Sequence, residues 1–320
     1  MALNIRPLDF EADLERVLPL WNHNRPVIQT AEALRKIEAR LGATPWYRLR
    51  LIGEVGGEAL ATGALVESGQ SRAGWLIADV TVAARARGRG YGRAMAARIA
   101  AEAVARGAVM LEAFVRDNEP EARAWAERRG FHLHAHQFDA RLDLAKVDLT
   151  SLDGRLQALR RRGLVVCTAA DLGDGGPMSR RLLDAYVRDL RRMAGAEGWQ
   201  PPSFDDWQRL FVGHPGQRRE AIFLAMDGDE IVGQTWLRET PDGGMHTVFT
   251  GVGARHEGMG VATALKLWSF AYARARGART ALTNNLSTNE RMLAINRALG
   301  YEPMPGTWWL RRPMAAPRSA

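Results

Sequence analysis

RARGRGYGRAM, residues 85–95, and RHEGMGVATAL, residues 255–265, are one segment written twice. Gly88, Gly90 and Gly92 correspond to Gly258, Gly260 and Ala262, at a constant offset of 170 residues. The same offset relates Gly107 in ARGAV to Gly277 in ARGAR, and Gly130 in RRGF to Gly300 in ALGY. A constant spacing across a glycine-rich turn and two helix ends marks a duplicated domain.

Each copy reads alike. In the first, Ile5–Pro7 is a short strand and Asp9–Asn22 a helix. RLRLIGEV and EALATGALVE are strands joined by a Gly-Gly hairpin turn, and GWLIADVTV is a long strand. Tyr91, Ala94, Met95, Ile99 and Ala103 recur at helical spacing after the turn. VMLEAFV is a strand, Pro120–Arg129 a helix and FHLHAHQFDARLDL a last strand. The second copy repeats the order: a helix from Ser179 to Met193, prolines at a helix start in PPSFDDWQRLFV, a hairpin with an Asp-Gly turn, and the long strand MHTVFTGV. Val261, Ala264, Leu265, Trp268 and Tyr272 mark the next helix, followed by the strand ARTALTNN, a helix from Asn289 to Leu299, and the strand TWWLRR. The join is expected to be a helix capped by Thr150 or Ser151. The expected division is residues 1–148, a linker helix at 149–162, and 163–320.

The glycine turn has a chemical use. Its N–H groups converge at a helix N-terminus, and glycines let phosphates approach the backbone. A dinucleotide fold needs its glycines early in a βαβ unit, and a P-loop needs Gly-Lys-Ser/Thr; neither copy has these. The order of hairpin, strand, R-G-x-G-x-G/A turn, helix, strand, and helix ending in GF or GY resembles the GCN5-related N-acetyltransferases (GNAT). The resemblance covers the chain twice, in a two-domain layout similar to that of mycothiol synthase. It implies an α/β fold of two tandem GNAT-like domains, each a mixed, mostly antiparallel sheet flanked by helices. It also implies acetyl-CoA as donor and an amine on a small molecule as acceptor; the alternative is a CoA-binding pseudoenzyme or sensor.

Carried over residue by residue, the resemblance assigns the pyrophosphate to Arg87, Gly88, Arg89, Gly90, Tyr91, Gly92 and Arg93, and in the second copy to Glu257, Gly258, Gly260 and Ala262. Val80 and Val82, and Gly251 and Val252, are expected to hold the thioester through their backbones. Asn118 and Asn289 are expected to touch the cofactor. Two departures stand out. Glu257 brings a negative charge toward a pyrophosphate, unless it faces solvent or pairs with Arg255 or Lys266. The tyrosine that many members use to protonate the leaving thiolate is replaced by Ala126 and Asn296, of which only Asn296 can donate a hydrogen bond. Asp79 and His246, on the long strands leading to the turns, are the candidate bases. Asn284, Asn285, Asn289 and Asn296 gather near one sheet end, where they serve a site or cap the helix.

Other signals bound the function. Composition is that of a globular protein, with 46% apolar and 25% charged residues. The single cysteine, Cys167, excludes an intrachain disulfide and fits a reducing cytoplasm. The stretch MALNIRPLDFEADLERV lacks a basic region followed by an apolar core, and no run of about eighteen apolar residues occurs, so neither a signal peptide nor a transmembrane helix is expected. The net charge of +8 permits a polyanionic ligand. The arginines of LRRRG and VRDLRRM sit beside acids at helical spacing, reading as a solvated face, and no nucleic-acid motif appears. His132, His134 and His136 share a strand face, a polar patch rather than a metal site. Trp21, Trp46, Trp199 and Trp207 belong to an acceptor pocket or to the core.

Overall fold

The computed structural model describes residues 3–23, 25, 27–42, 44–67, 72–173, 176–192 and 200–314. They form two compact units: Met1–His136 with Gly198–Gln200 and Thr307–Ala320, and Gln137–Glu197 with Pro201–Gly306.

The first unit contains β1 (Asn4–Pro7), α1 (Phe10–Trp21), α2 (Ala31–Gly42), β2 (Arg48–Val55), β3 (Glu58–Val66), β4 (Trp75–Val82), α3 (Tyr91–Ala105), β5 (Met110–Arg116) and α4 (Pro120–Glu127). Strands β1 to β4 form an antiparallel meander, and β4 pairs in parallel with β5. The Gly56-Gly57 hairpin is as expected: both glycines have positive φ between the paired Val55 and Glu58. Leu51, Leu65, Leu76 and Leu111 of the sheet meet Met95 and Ile99 of α3 in the core.

The second unit follows from β6 (His132–Asp143), α5 (Leu152–Arg161), β7 (Val165–Thr168), α6 (Gly176–Leu190) and α7 (Phe204–Trp207). It continues through β8 (Gln217–Asp227), β9 (Glu230–Glu239), β10 (Met245–Val252), α8 (Val261–Ala275), β11 (Thr280–Leu286) and α9 (Glu290–Ala298) to the start of β12 (Glu302–Pro313), whose residues from Thr307 onward belong to the first unit. Its strands β7 to β10 are antiparallel, and β10 pairs in parallel with β11. Gly63 and Gly233, again 170 residues apart, lie where the long helix comes down on the sheet. A Cβ at Gly63 would stand 2.7 Å from Met95, and one at Gly233 would collide with Val261.

The compact units cut the chain differently from the expected 1–148 and 163–320. The last strands change places. Thr307–Pro313 of β12 pairs antiparallel with β5, and Gln137–Leu286 opens a ladder in which Gln137–Asp143 of β6 pairs antiparallel with β11. The expected linker helix is α5, whose Leu156 and Leu159 are buried in the second unit's core. Ser151 stands at its N-cap without capping it; Asp148 Oδ1 instead accepts from the Thr150 N–H at 2.8 Å. The prolines of PPSF precede α7, whose cap is Ser203, and the helix runs on as a five-residue π-helix, Gln208–Val212.

Helix α1 is pinned to β1 and β2 by a buried carboxylate. Asp13 accepts from Arg6 at 2.7 Å through both guanidinium nitrogens and from Arg16 at 2.7 Å, and Glu54 joins the same two arginines. The Arg6 hydrogen bonds hold the Asp13 carboxyl down at about 2, against burial, which acts the other way. A depressed carboxylate stabilises the fold above its unfolded pKa, and that contribution is lost as pH falls from about 4 through about 2. Asp13→Asn is expected to cost roughly 1–2 kcal/mol at neutral pH and to flatten stability across that acid window, as read by denaturant melts. This pin matters for function because the chain leaving α1 carries Trp21, His23 and Arg25.

Candidate active site

In the first unit the parallel ladder between β4 and β5 runs only from Trp75–Met110 to Ile77–Glu112. Beyond it a cleft of about 820 Å³ is lined by Asp79 to Val82 on one strand and Phe114 to Arg116 on the other. Its volume lies toward the upper end of the roughly 300–1,000 Å³ usual for small-molecule sites. One end is closed by the glycine turn. Gly88 and Gly90 have φ of 79° and 85°, and an added Cβ there meets nothing within 4 Å, so conformation rather than space requires glycine. Gly90 is the N-cap of α3 and no side chain caps it, which leaves the helix's first N–H groups for a ligand. Gly92 is different: a Cβ would lie 3.4 Å from the Trp125 ring, so glycine keeps the turn against α4.

Charge reinforces the turn. Arg93, Arg128 and Arg129 also line the cleft. Burial, then repulsion from Arg93 and Arg128, lowers the pKa of Arg129. Among the described residues none of the three is ion-paired to a carboxylate. Three clustered guanidiniums without a counter-ion, beside an uncapped helix N-terminus, fit an anionic polyphosphate. Arg87 lines the same end, its Nη2 3.1 Å from His23 Nε2, which is 2.6 Å from Glu119.

Of the expected contacts in this unit, Val80, Val82, Arg87, Gly88, Gly90, Tyr91, Gly92 and Arg93 line the cleft. Arg89 is exposed and outside the lining, as is Asn118. The reason for Asn118 is register: α4 begins at Pro120, so Glu119 holds the N-cap position that Asn289 holds in the second unit. Asp79 stands in the cleft on the strand face shared with Thr81, whose Oγ1 is 3.5 Å from its Oδ2. Asp79 is exposed to the cleft, and the protein walls around it raise its pKa by desolvation, against the opposing pull of Arg25 and Thr81.

The second unit reproduces the turn and fills the space around it. Gly258 and Gly260 have φ of 75° and 80°, and Gly260 is the uncapped N-cap of α8. Glu257, however, faces neither solvent alone nor Arg255 or Lys266: its carboxylate is ion-paired to Arg192 and Arg291. Arg192 also donates to the Val252 carbonyl at 3.0 Å, so one of the backbone groups expected to hold a thioester is already engaged. At Gly251 the Asp189 carboxyl lies where a Cβ would be. Asp189 is buried, bonded to Arg188 at 2.8 Å and to Gln234 at 3.1 Å. Arg162 donates to the Met259 carbonyl at 2.9 Å. Two of the arginines of LRRRG and VRDLRRM that read as a solvated face, Arg162 and Arg192, thus tie down the second turn.

A smaller cavity of about 120 Å³ in the first unit, adjoining the cleft at Asp79 and Val80, is lined by Ala96 and Ala100 of α3. Their counterparts at the 170-residue offset are Lys266 and Phe270, both fully buried. His246 lies in the paired stretch of β10, opposite Leu282 and half-buried. Burial, with Arg238 and Lys266 nearby, lowers its pKa to about 4. Asn296 is buried, with its Oδ1 lacking a hydrogen-bond partner among the described residues. Asn289 is a helix cap, accepting from the Met292 N–H at 3.3 Å. Ala262 follows Gly260 in the first turn of α8.

The remaining candidates separate cleanly. Trp21 lines the cleft of the first unit, whereas Trp207 is fully buried against Tyr186, Phe211 and Trp236. Trp46 is half-buried away from the lining, and Trp199 lies outside the described residues. His136 is 2.9 Å from Asp117, and no group of three or more metal-ligating side chains occurs among the described residues. No described helix is long and apolar enough to cross a membrane. Sequence reasoning missed Arg25, Arg116, Arg128 and Arg129; the last two are visible in RRGF, where only the glycine and the aromatic drew notice.

Solved structures share this architecture over the whole chain. A tandem GNAT protein from the clavulanic acid biosynthesis pathway matches with a TM-score of 0.75 at 20% identity, covering 100% of both chains. A GCN5-related N-acetyltransferase from Sphaerobacter thermophilus matches with a TM-score of 0.73 at 18% identity, covering 97% of this chain and 95% of its own. No curated protein is significantly similar in sequence. The family model for the acetyltransferase (GNAT) family matches twice, at residues 14–131 and 181–301. With one match in each copy and the glycine-turn geometry repeated, the chain belongs to the acetyltransferase (GNAT) family.

Proposed function

We propose that the protein transfers an acetyl group from acetyl-CoA to an amine of a small molecule, and that the first unit is the transfer site. The observation that carries this reading is the uncapped turn at Gly90 beside Arg93, Arg128 and Arg129, opening on a cleft that contains Asp79. Bound acetyl-CoA would supply an acetyl group activated as a thioester. The chain's part is to hold its phosphates at the turn, to offer the backbone of β4 beyond the splay, and to take a proton from the amine. Asp79 is placed for that last role, and its raised pKa makes it a stronger base than an ordinary aspartate. The second unit is a structural partner whose site is closed by Glu257, Arg192 and Asp189. A cytoplasmic setting, in which Cys167 stays reduced, belongs to the same proposal.

The test is thiol release from acetyl-CoA by the purified chain against a panel of primary amines. Amine-dependent release, with a matching acetylated product by mass spectrometry, supports the proposal. Acetyl-CoA binding without amine-dependent release favours instead the reading as a CoA-binding sensor, which Ala126 and Asn296 in place of an acid tyrosine also suit.

A further inference from the structure

The smaller cavity of the first unit, about 120 Å³, adjoins the cleft where the sheet splays. The last paired residues of the parallel ladder are Ile77 and Glu112. Just past them Asp79 and Val80 of β4 and Phe114 and Val115 of β5 line both spaces. From that gap the cavity leads away from the glycine turn. On β4 it reaches back from Val80 to Ala78, and on α3 it takes in Ala96, Ile99 and Ala100. The turn joins the end of β4 to the start of α3, so the two directions agree. Val82 back to Ala78 along the strand and Tyr91 on to Ala100 along the helix are each roughly 13 Å.

Small side chains from four elements make the space: Ala78 of β4, Ala96 and Ala100 of α3, Ala113 of β5, and Ala122 and Ala126 of α4. The charged liners are Asp79, Arg129 and Arg312, and every other lining side chain is apolar. Arg129 is turned onto Trp125, donating to its carbonyl at 3.0 Å with the guanidinium 3.6 Å from the ring centroid. The fold does not require these alanines. At the 170-residue offset stand Val248, Lys266, Phe270, Thr283, Met292 and Asn296, each larger, on the corresponding strands and helices of the second unit. An apolar space left by small side chains forfeits packing contacts unless something fills it. The position of this one says what would. The thioester of a CoA ester is expected at the backbone of Val80, and the cavity begins at that residue and continues the line from the turn.

We propose that this cavity takes the acyl chain of the donor, so that the first unit transfers straight-chain acyl groups longer than acetyl as well as acetyl itself. This rests on the reading of the first unit as the transfer site and concerns only the length of the acyl group. An apolar cavity of about 150 Å³ holds a benzene ring, so this one suits acyl groups of about four to six carbons. The chemistry is that of the acetyl case. The amine nitrogen bonds to the thioester carbonyl carbon, the amine proton passes to Asp79, the carbon–sulfur bond breaks, and the CoA thiolate leaves and takes a proton from water. The added methylenes lie in the cavity and contribute binding without touching the reacting atoms.

The experiment is calorimetric titration of the intact chain with acetyl-, propionyl-, butyryl-, hexanoyl- and octanoyl-CoA. Affinity is expected to rise by about fourfold for each methylene that the cavity admits, and to stop rising at octanoyl-CoA. Ala100→Phe gives the first unit the side chain that Phe270 has in the second, and Ala96→Leu narrows the same space one turn nearer the glycines. Either should flatten the series while leaving acetyl-CoA affinity within about threefold of the wild type, and the second serves if the first does not fold. An affinity that is flat or falls from acetyl- to hexanoyl-CoA, a gain that continues undiminished to octanoyl-CoA, or a gain that survives both substitutions would each overturn the assignment. Acetyl-CoA still bound in those cases confines the failure to the acyl chain; no CoA ester bound condemns the transfer-site reading as well.

Discussion

Asp79→Asn is expected to lower kcat by about 10²–10⁴-fold while leaving acetyl-CoA affinity within about threefold of the wild type. The amide has nearly the shape of the carboxyl and keeps hydrogen-bonding capacity toward Thr81, so the cleft and its arginines stay in place. What it loses is the capacity to accept a proton. The pH profile gives a second readout. Desolvation by the cleft walls raises the Asp79 pKa, so the carboxylate form, and the rate that depends on it, should appear at a pH above that of an ordinary aspartate. The variant should lack that limb. An unchanged kcat would remove Asp79 from the mechanism. A fall in acetyl-CoA affinity equal to the fall in rate would show it to be a structural residue of the cleft.

The second large effect lies in the second unit. Lys266→Met should stabilise the protein at pH 7 by roughly 2–4 kcal/mol. Lys266 is 1% exposed, no carboxylate is ion-paired to it among the described residues, and its ammonium lies 5.4 Å from the centroid of the Tyr301 ring. Burial alone brings its pKa down to about 7, from about 10.5 in the unfolded chain. Between those values the unfolded state binds more protons, so wild-type stability should rise with pH across that window. The groups around it do not mask this. His246, at about 4, stays neutral there, and burial raises the Tyr301 hydroxyl, bonded to Thr247, well above the window. In Lys266→Met the rise should vanish, with the two proteins converging above pH 10. Chemical denaturation at pH 6, 8 and 10 checks it; a destabilised variant with an unchanged pH slope would refute the assignment of a strained, partnerless ammonium.

Much of this was legible in the sequence because the repeat supplied its own control. A positive φ at Gly88 and Gly90 recurs at Gly258 and Gly260, and the first hairpin turns at Gly56-Gly57 as expected, whereas the second turns at Gly228-Asp229, one residue beyond the expected Asp-Gly pair. These are local backbone demands, and glycine announces them. The exchange of last strands was not legible. FHLHAHQFDARLDL and the strand ending TWWLRR are both strand-like, and period-two patterning does not say which sheet edge a strand joins. Closure of the second site was hidden for a related reason. Arg188, Asp189 and Arg192 have the spacing of an exposed, charge-laced helix, and only tertiary packing brings them onto Gly251, Val252 and Glu257. The burial of Lys266 was not legible, because the helical stripe of Val261, Ala264, Leu265, Trp268 and Tyr272 does not include it. Arg25 and Arg116 were missed because they lie outside any motif: Arg25 reaches the cleft from the chain after α1, and Arg116 from the far end of β5.

The central claim is that two turns of the same backbone differ in use: the first takes acetyl-CoA, and the second is occupied by its own side chains. Calorimetric titration of the intact chain with acetyl-CoA tests it directly, with Gly90→Glu and Gly260→Glu alongside. At each position the substitution adds a negative charge at a helix N-terminus and a side chain at a left-handed glycine. The expected result is one equivalent bound by the wild type, none by Gly90→Glu, and one still by Gly260→Glu. Two equivalents for the wild type, or a single equivalent lost with Gly260→Glu and kept with Gly90→Glu, would contradict it.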